Sequence, residues 1–123
     1  RPLAPRSRPD RSIVNHAPAL HRSLDRVRGW LEDDDEPVDE VCAWICKQLL
    51  RSGLEMQIDT LGRYTRDLWP CYRVLADRYP DRAQQQRQAL QWVLTPTTDA
   101  GALWAYLEDH GRWLADEAQR LLG

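Results

Sequence analysis

Apolar residues recur along this chain at intervals of three and four, and the runs are broken by proline, glycine and acidic residues. After Pro18, the positions Leu20, Leu24, Val27 and Leu31 share one helical face, which predicts a first helix ending at the acidic run "EDDDE", Glu32 to Glu36. A second helix is predicted from Pro37 to about Asp59, with Asp35 or Glu36 as cap, Pro37 in the first turn, and Asp39 and Glu40 near the positive end of the dipole. Its apolar set of Val38, Val41, Cys42, Ile45, Leu49, Leu54 and Ile58 is wide enough for a central, mostly buried helix. Gly53 inside it costs about 1 kcal/mol relative to alanine, which suggests close packing against another helix.

Leu68, Tyr72, Leu75, Ala76 and Tyr79 predict a third helix. Asp67 is favoured over Thr65 as its cap. With Asp67 there, Pro70 falls at the third helical position and removes only a donor that has no helical partner. "YPDR" stops this helix at Tyr79 and restarts the chain, with Asp81 as the expected cap of a fourth helix carrying Ala83, Leu90 and Leu94. After "TPTTDAG", Thr98 or Thr97 is expected to cap a fifth, whose stripe is Leu103, Leu107, His110, Leu114, Ala118 and Leu121. No segment alternates with period two, so the expected fold is an all-α bundle of about five helices over residues 17–123. Residues 1–16 hold three of the eight prolines and show no helical period. They are expected to be a linker or the end of an upstream domain.

Length and composition narrow the class. One domain and one core are expected from 123 residues, and no apolar run approaches the roughly 20 residues of a membrane span. A formal charge of -2 makes nucleic acid an unexpected partner. The charges are uneven, with seven arginines up to Arg28 followed by the five acids Glu32 to Glu36, a pattern that suits a solvated face or loop. Cys42, Cys46 and Cys71 lack secreted-type spacing and are expected to be reduced and packed, in a cytoplasmic protein. No metal site is expected, because His16, His21 and His110 add no matching ligand spacing. With no phenylalanine, the aromatic core falls to six tryptophans and four tyrosines, whose polar atoms should hold some of them at the core boundary. Met56 is the only methionine and the sequence opens "RPLAPRSRPD", so a piece of a longer or processed protein is expected.

The candidate chemistry lies in "LGRYTRDLWPC", Leu61 to Cys71. A helix N-terminus presents N–H groups and about half a positive charge, which favours anions. Arg63 and Arg66 add two permanently charged guanidiniums able to grip phosphate oxygens, and Tyr64 can stack on a base or donate its hydroxyl. Structural pairing of Arg63 with Asp59, or of Arg66 with Asp67, is the alternative use of these groups. On the preceding helix Arg51, Glu55 and Asp59 follow one another at i, i+4 spacing, which suits a solvent-side ion-pair ladder. If that face instead meets a nucleotide, Glu55 is a candidate contact for a substrate hydroxyl or a metal. No catalytic set is visible: there is no Gly-rich phosphate loop, no Ser/His/Asp or Cys/His arrangement and no metal motif. "RSIVNH" places Arg11 and His16 in the Arg-x4-His spacing of helical ribonucleases of the HEPN type, which predicts RNA cleavage as a minor alternative.

From Val38 onward the chain resembles the C-terminal helical domain of bacterial nucleotidyltransferases with a polymerase-β-like catalytic domain, the broad group that includes aminoglycoside nucleotidyltransferases. The segments that carry the resemblance are "LLRSGLE", "RYTRDLWPCY" and "YPDRAQQQRQALQWVLTP". The resemblance implies that an α/β domain with a Gly-Ser turn and an Asp-x-Asp pair holds NTP, such as ATP, and Mg, while the helical half binds the acceptor and part of the nucleotide. This chain has neither the turn nor the pair in a strand context; "DDD", Asp33 to Asp35, matches the spacing alone. The implied role is therefore the helical half of an enzyme that transfers NMP to a small-molecule acceptor, partnered by an upstream or separate catalytic domain. "TRD" resembles the Ser-Lys-Asp element at a helix start whose basic residue contacts the triphosphate. Arg66 then becomes the phosphate contact, with Arg63 and Tyr64 beside it, and Arg51, Glu55 and Asp67 in support. A non-catalytic interaction module is the alternative from another class, dimerising or docking through the fifth-helix stripe or exposed tryptophans.

Overall fold

The computed structural model describes residues 17–34, 36–56 and 67–122, and these are helical, with no strand among them. The helices are α1 (Leu20–Asp33), α2 (Val38–Glu55), α3 (Leu68–Arg78), α4 (Ala83–Leu94), α5 (Ala100–Tyr106) and α6 (Arg112–Leu122). A 3₁₀ turn, Pro80–Arg82, joins α3 to α4. A π turn, Leu107–Gly111, makes α5 and α6 one continuous rod, so the bundle has five rods among the described residues.

Helix α2 is the axis of the bundle, in contact with α1, α3, α4 and α6. Its buried positions, among them Val41, Cys42, Ile45, Cys46, Leu49, Leu50 and Leu54, go most of the way round the helix, as its broad apolar pattern requires. Leu20, Leu24 and Val27 of α1 close one side, and Cys71, Tyr72 and Leu75 of α3 another. The last rod buries Leu103, Leu107, His110, Leu114 and Ala118 but leaves Leu121 41% exposed. That stripe is thus taken up by the chain's own core, which removes it as a docking face.

At Gly53 α2 lies close against both α3 and α4. A Cβ there would lie 3.1 Å from Gln86 Nε2 and 3.2 Å from Leu75 Cβ. Helix α4 turns Gln86 and Ala89 to the core, whereas Leu94 of the expected apolar set is exposed and Ala83 and Leu90 are half-buried. The small Ala89 permits the close approach of α4, and the 3₁₀ turn sets the phase of the helix.

The tryptophans lie at helix seams. None of the six is fully buried and Trp69 is exposed. Trp30 meets Trp44 edge-on between α1 and α2, and Trp92 meets Tyr106 edge-on between α4 and α5. The Tyr106 hydroxyl donates to the Gln85 carbonyl at 2.7 Å, which keeps its polar end partnered.

Helix ends departed most from expectation. Asp67 does cap α3, and Pro70 is its third residue. Helix α1 ends on Asp34 in the left-handed region (φ 58°), its N–H bonded to the Trp30 carbonyl, a conformation aspartate tolerates. Pro37, and neither Glu36 nor the undescribed Asp35, occupies the cap position of α2, and its missing N–H costs nothing there. Asp81 lies inside the 3₁₀ turn, so α4 starts after Arg82 without a side-chain cap. Asp99 rather than Thr97 or Thr98 caps α5, accepting from the Ala102 N–H at 3.0 Å, while Thr97 Oγ1 accepts from the Asp99 N–H at 3.1 Å.

Candidate functional site

The anticipated phosphate-binding segment bridges the C-terminal end of α2 and the N-terminus of α3. Arg63, Tyr64 and Arg66, with Thr65 and Asp59, lie outside the described residues, as do Arg11 and His16. Arg51, Glu55 and Asp67 are described. The Cys71 thiol, on the first turn of α3, feels the charges of all three. Burial pushes its pKa up to about 11, with Arg51 opposing and Asp67 and Glu55 reinforcing.

Glu55 is 1% exposed and its Oε1 accepts from the Ala17 backbone N–H at 2.8 Å. Arg51 is half-buried, and its Nε has no hydrogen-bond partner among the described residues. The solvent-side ladder expected of Arg51 and Glu55 is therefore not what forms. Four helices surround α2, and the carboxylate on its last residue meets the incoming chain instead of water.

A second polar region lies at the other end of α3. The elbow formed by Tyr79 and the Pro80–Arg82 turn stands opposite the π turn and α6 and leaves a cleft of about 620 Å³. This is within the range of small-molecule sites, about 300–1,000 Å³. Arg82 Nη1 donates to Asp109 Oδ1 at 3.2 Å, and its guanidinium lies 4.9 Å from the centre of the Trp113 ring. Arg78 lies 4.9 Å over the Tyr79 ring. The Tyr79 hydroxyl donates to Glu117 Oε2 at 2.8 Å, and Arg120 Nε donates to Glu117 Oε1 at 3.0 Å. Arg120 holds the Glu117 carboxyl below its usual range, helped by the Tyr79 hydrogen bond.

Behind this cleft His110 is fully buried and stacked on Trp113, 5.7 Å between ring centres at 18°. Its Nε2 is 2.8 Å from Gln86 Oε1, the geometry of an Nε2–H donor and an amide acceptor. Burial brings its pKa down to about 4, with the Arg82 charge adding to the effect and Asp109 opposing it. His110 is therefore neutral at pH 7 and serves to back Trp113.

Sequence reasoning took "YPDR" as a helix stop and restart, with Asp81 as a cap, and missed this cleft. The available signal was four functional side chains, Arg78, Tyr79, Asp81 and Arg82, within five positions of an elbow; their partners Asp109, Trp113 and Glu117 are far along the chain, and only the fold brings them in. Among the described residues no group of three or more His, Cys, Asp or Glu could hold a metal ion, and no helix is long and apolar enough to cross a membrane. The three cysteines are buried thiols with no disulfide between them. The chain matches no protein-family model, no curated protein and no solved structure.

Proposed function

We propose that this chain is the helical, substrate-holding half of a nucleotidyltransferase. It would work with a polymerase-β-like catalytic domain, upstream or separate, that holds NTP and Mg and transfers NMP to a small-molecule acceptor. One contact carries the reading beyond the sequence resemblance: the hydrogen bond from the Ala17 N–H to Glu55 Oε1. It ties the point where residues 1–16 join the bundle to the last turn of α2, from which the segment bearing Arg63, Tyr64 and Arg66 departs. A domain attached through the N-terminal segment would thus approach the bundle beside its most basic loop.

In this reading Arg63 and Arg66 grip phosphate oxygens through paired N–H groups, and the first turn of α3 adds backbone donors and the positive end of its dipole. Asp67 begins that helix, and Arg51 lends positive charge from below. Binding of Mg·ATP to the full protein, followed by calorimetry, tests the assignment. Arg66→Ala should weaken binding by about 1.5–3 kcal/mol, the scale of a charge-assisted hydrogen bond, with little change in melting temperature. Unchanged affinity would sink it. The interaction-module alternative now rests on Trp69, 53% exposed and tilted against Tyr72. Concentration-dependent dimerisation with no nucleotide response would favour that reading.

A further inference from the structure

The cleft at the Tyr79–Arg82 elbow is a second site, separate from the nucleotide segment. Helix α3 has 11 residues, so its two ends are about 16 Å apart. The charges of the cleft restrict what can enter. A bare anion would meet the carboxylates of Asp81, Asp109 and Glu117. A bare cation would look for an open aromatic face, but Trp113 has the Arg82 guanidinium on it and His110 stacked against it, and Tyr79 carries Arg78. Three of its ionic groups are matched within the protein, Arg82 with Asp109 and Glu117 with Arg120. Arg78 and Asp81 line the same cleft, are exposed, and form no ion pair among the described residues. One cation and one anion are left over, three positions apart around Pro80.

Gln85 lines the cleft beside them. We propose that this cleft binds a small zwitterion of the α-amino-acid type, its carboxylate on Arg78 and Arg82 and its ammonium on Asp81. The ligand side chain would lie toward Trp113 and Tyr79, in a volume large enough for a free amino acid or a dipeptide.

Calorimetric titration of the full chain with the common free L-amino acids and simple dipeptides tests this. At least one should bind saturably. Its N-acetyl derivative, which lacks the ammonium, and its amide, which lacks the carboxylate, should each bind about tenfold or more weaker. Arg78→Ala and Asp81→Asn should each cost about tenfold with the helical circular dichroism unchanged, because both side chains are exposed. Arg66→Ala should leave amino-acid binding intact, which separates this site from the nucleotide reading whichever of the two fails. No saturable binding at roughly 10 mM of any of these ligands, or blocked derivatives that bind as tightly as the free amino acid, would overturn the proposal.

Discussion

His110 occupies the centre of the last rod's apolar stripe, where a leucine would fit the pattern. It is tolerated there because Nε2 reaches Gln86 Oε1 and the ring stacks on Trp113 and meets Tyr106 at a tilt. The tolerance holds only for the neutral ring. With a folded pKa of about 4 against 6.5 unfolded, the unfolded chain binds more protons than the folded one between those values. Stability is therefore fully present above about pH 6.5 and falls as the pH drops toward 4, by about 3 kcal/mol. Arg82 and Asp109, the charges nearest the ring, act in opposite senses and leave burial as the main cause. Urea melts at intervals between pH 4 and 7 should show this slope, and His110→Gln should flatten it even where the variant is less stable at pH 7. A slope unchanged in His110→Gln would assign it to other groups. The partner, Gln86, was not legible in the sequence. It stands in "AQQQRQ" among chemically identical neighbours, and only the helix phase set by the preceding 3₁₀ turn sends that one inward.

At the scale of elements, the five rods were legible because an apolar face at helical spacing is a long-range average that survives local errors. The caps were not, since each depends on the backbone angles of one or two residues. "TPTTDAG" offers two threonines and an aspartate, and which oxygen reaches which N–H is decided only when Thr97 holds the Asp99 N–H. Glycine shows the same division. Gly53 and Gly29 both interrupt helices, and sequence assigns both the same penalty, yet an added Cβ would meet nothing within 4 Å at Gly29. Gly29→Ala should therefore stabilise the protein by about 0.5–1 kcal/mol. At Gly53 the same gain is opposed by Leu75 Cβ, fixed to the α3 backbone, and by Gln86, tethered to His110, so α2 and its neighbours must separate. Overpacking of this kind costs about 1–3 kcal/mol, and Gly53→Ala should come out destabilising by about 1 kcal/mol. Urea midpoints of the two variants measure both signs, and a stabilised Gly53→Ala would mean that the helices are looser than the close approach indicates.

Two candidate sites stand at the ends of α3, the basic segment leading into its N-terminus and the cleft at its C-terminus. The first was anticipated from sequence because its residues are contiguous; the second was not, because Asp109, Trp113 and Glu117 of its wall come from the π turn and α6, some 30 residues on. Both depend on the bundle standing by itself. Every buried apolar residue among the described ones lies between Ala17 and Ala118, in one cluster. The N-terminal segment meets that cluster at Ala17, 2% exposed, where the backbone N–H is clamped by Glu55. Removing residues 1–14 leaves that N–H as an ordinary peptide donor, keeps the clamp, and takes away none of the described apolar contacts. A chain beginning at Asn15 should fold with a melting temperature within about 5 °C of the full chain, since each 1 kcal/mol moves a domain of this size by roughly that amount. Glu55→Ala in the same shortened chain should lower it by more, because the buried Ala17 N–H then has no acceptor. A fall of more than about 10 °C on shortening alone would instead make the proline-containing segment part of the core. It would then no longer serve as a tether, and the case for a catalytic domain reaching the arginine segment through it would lose its mechanical basis.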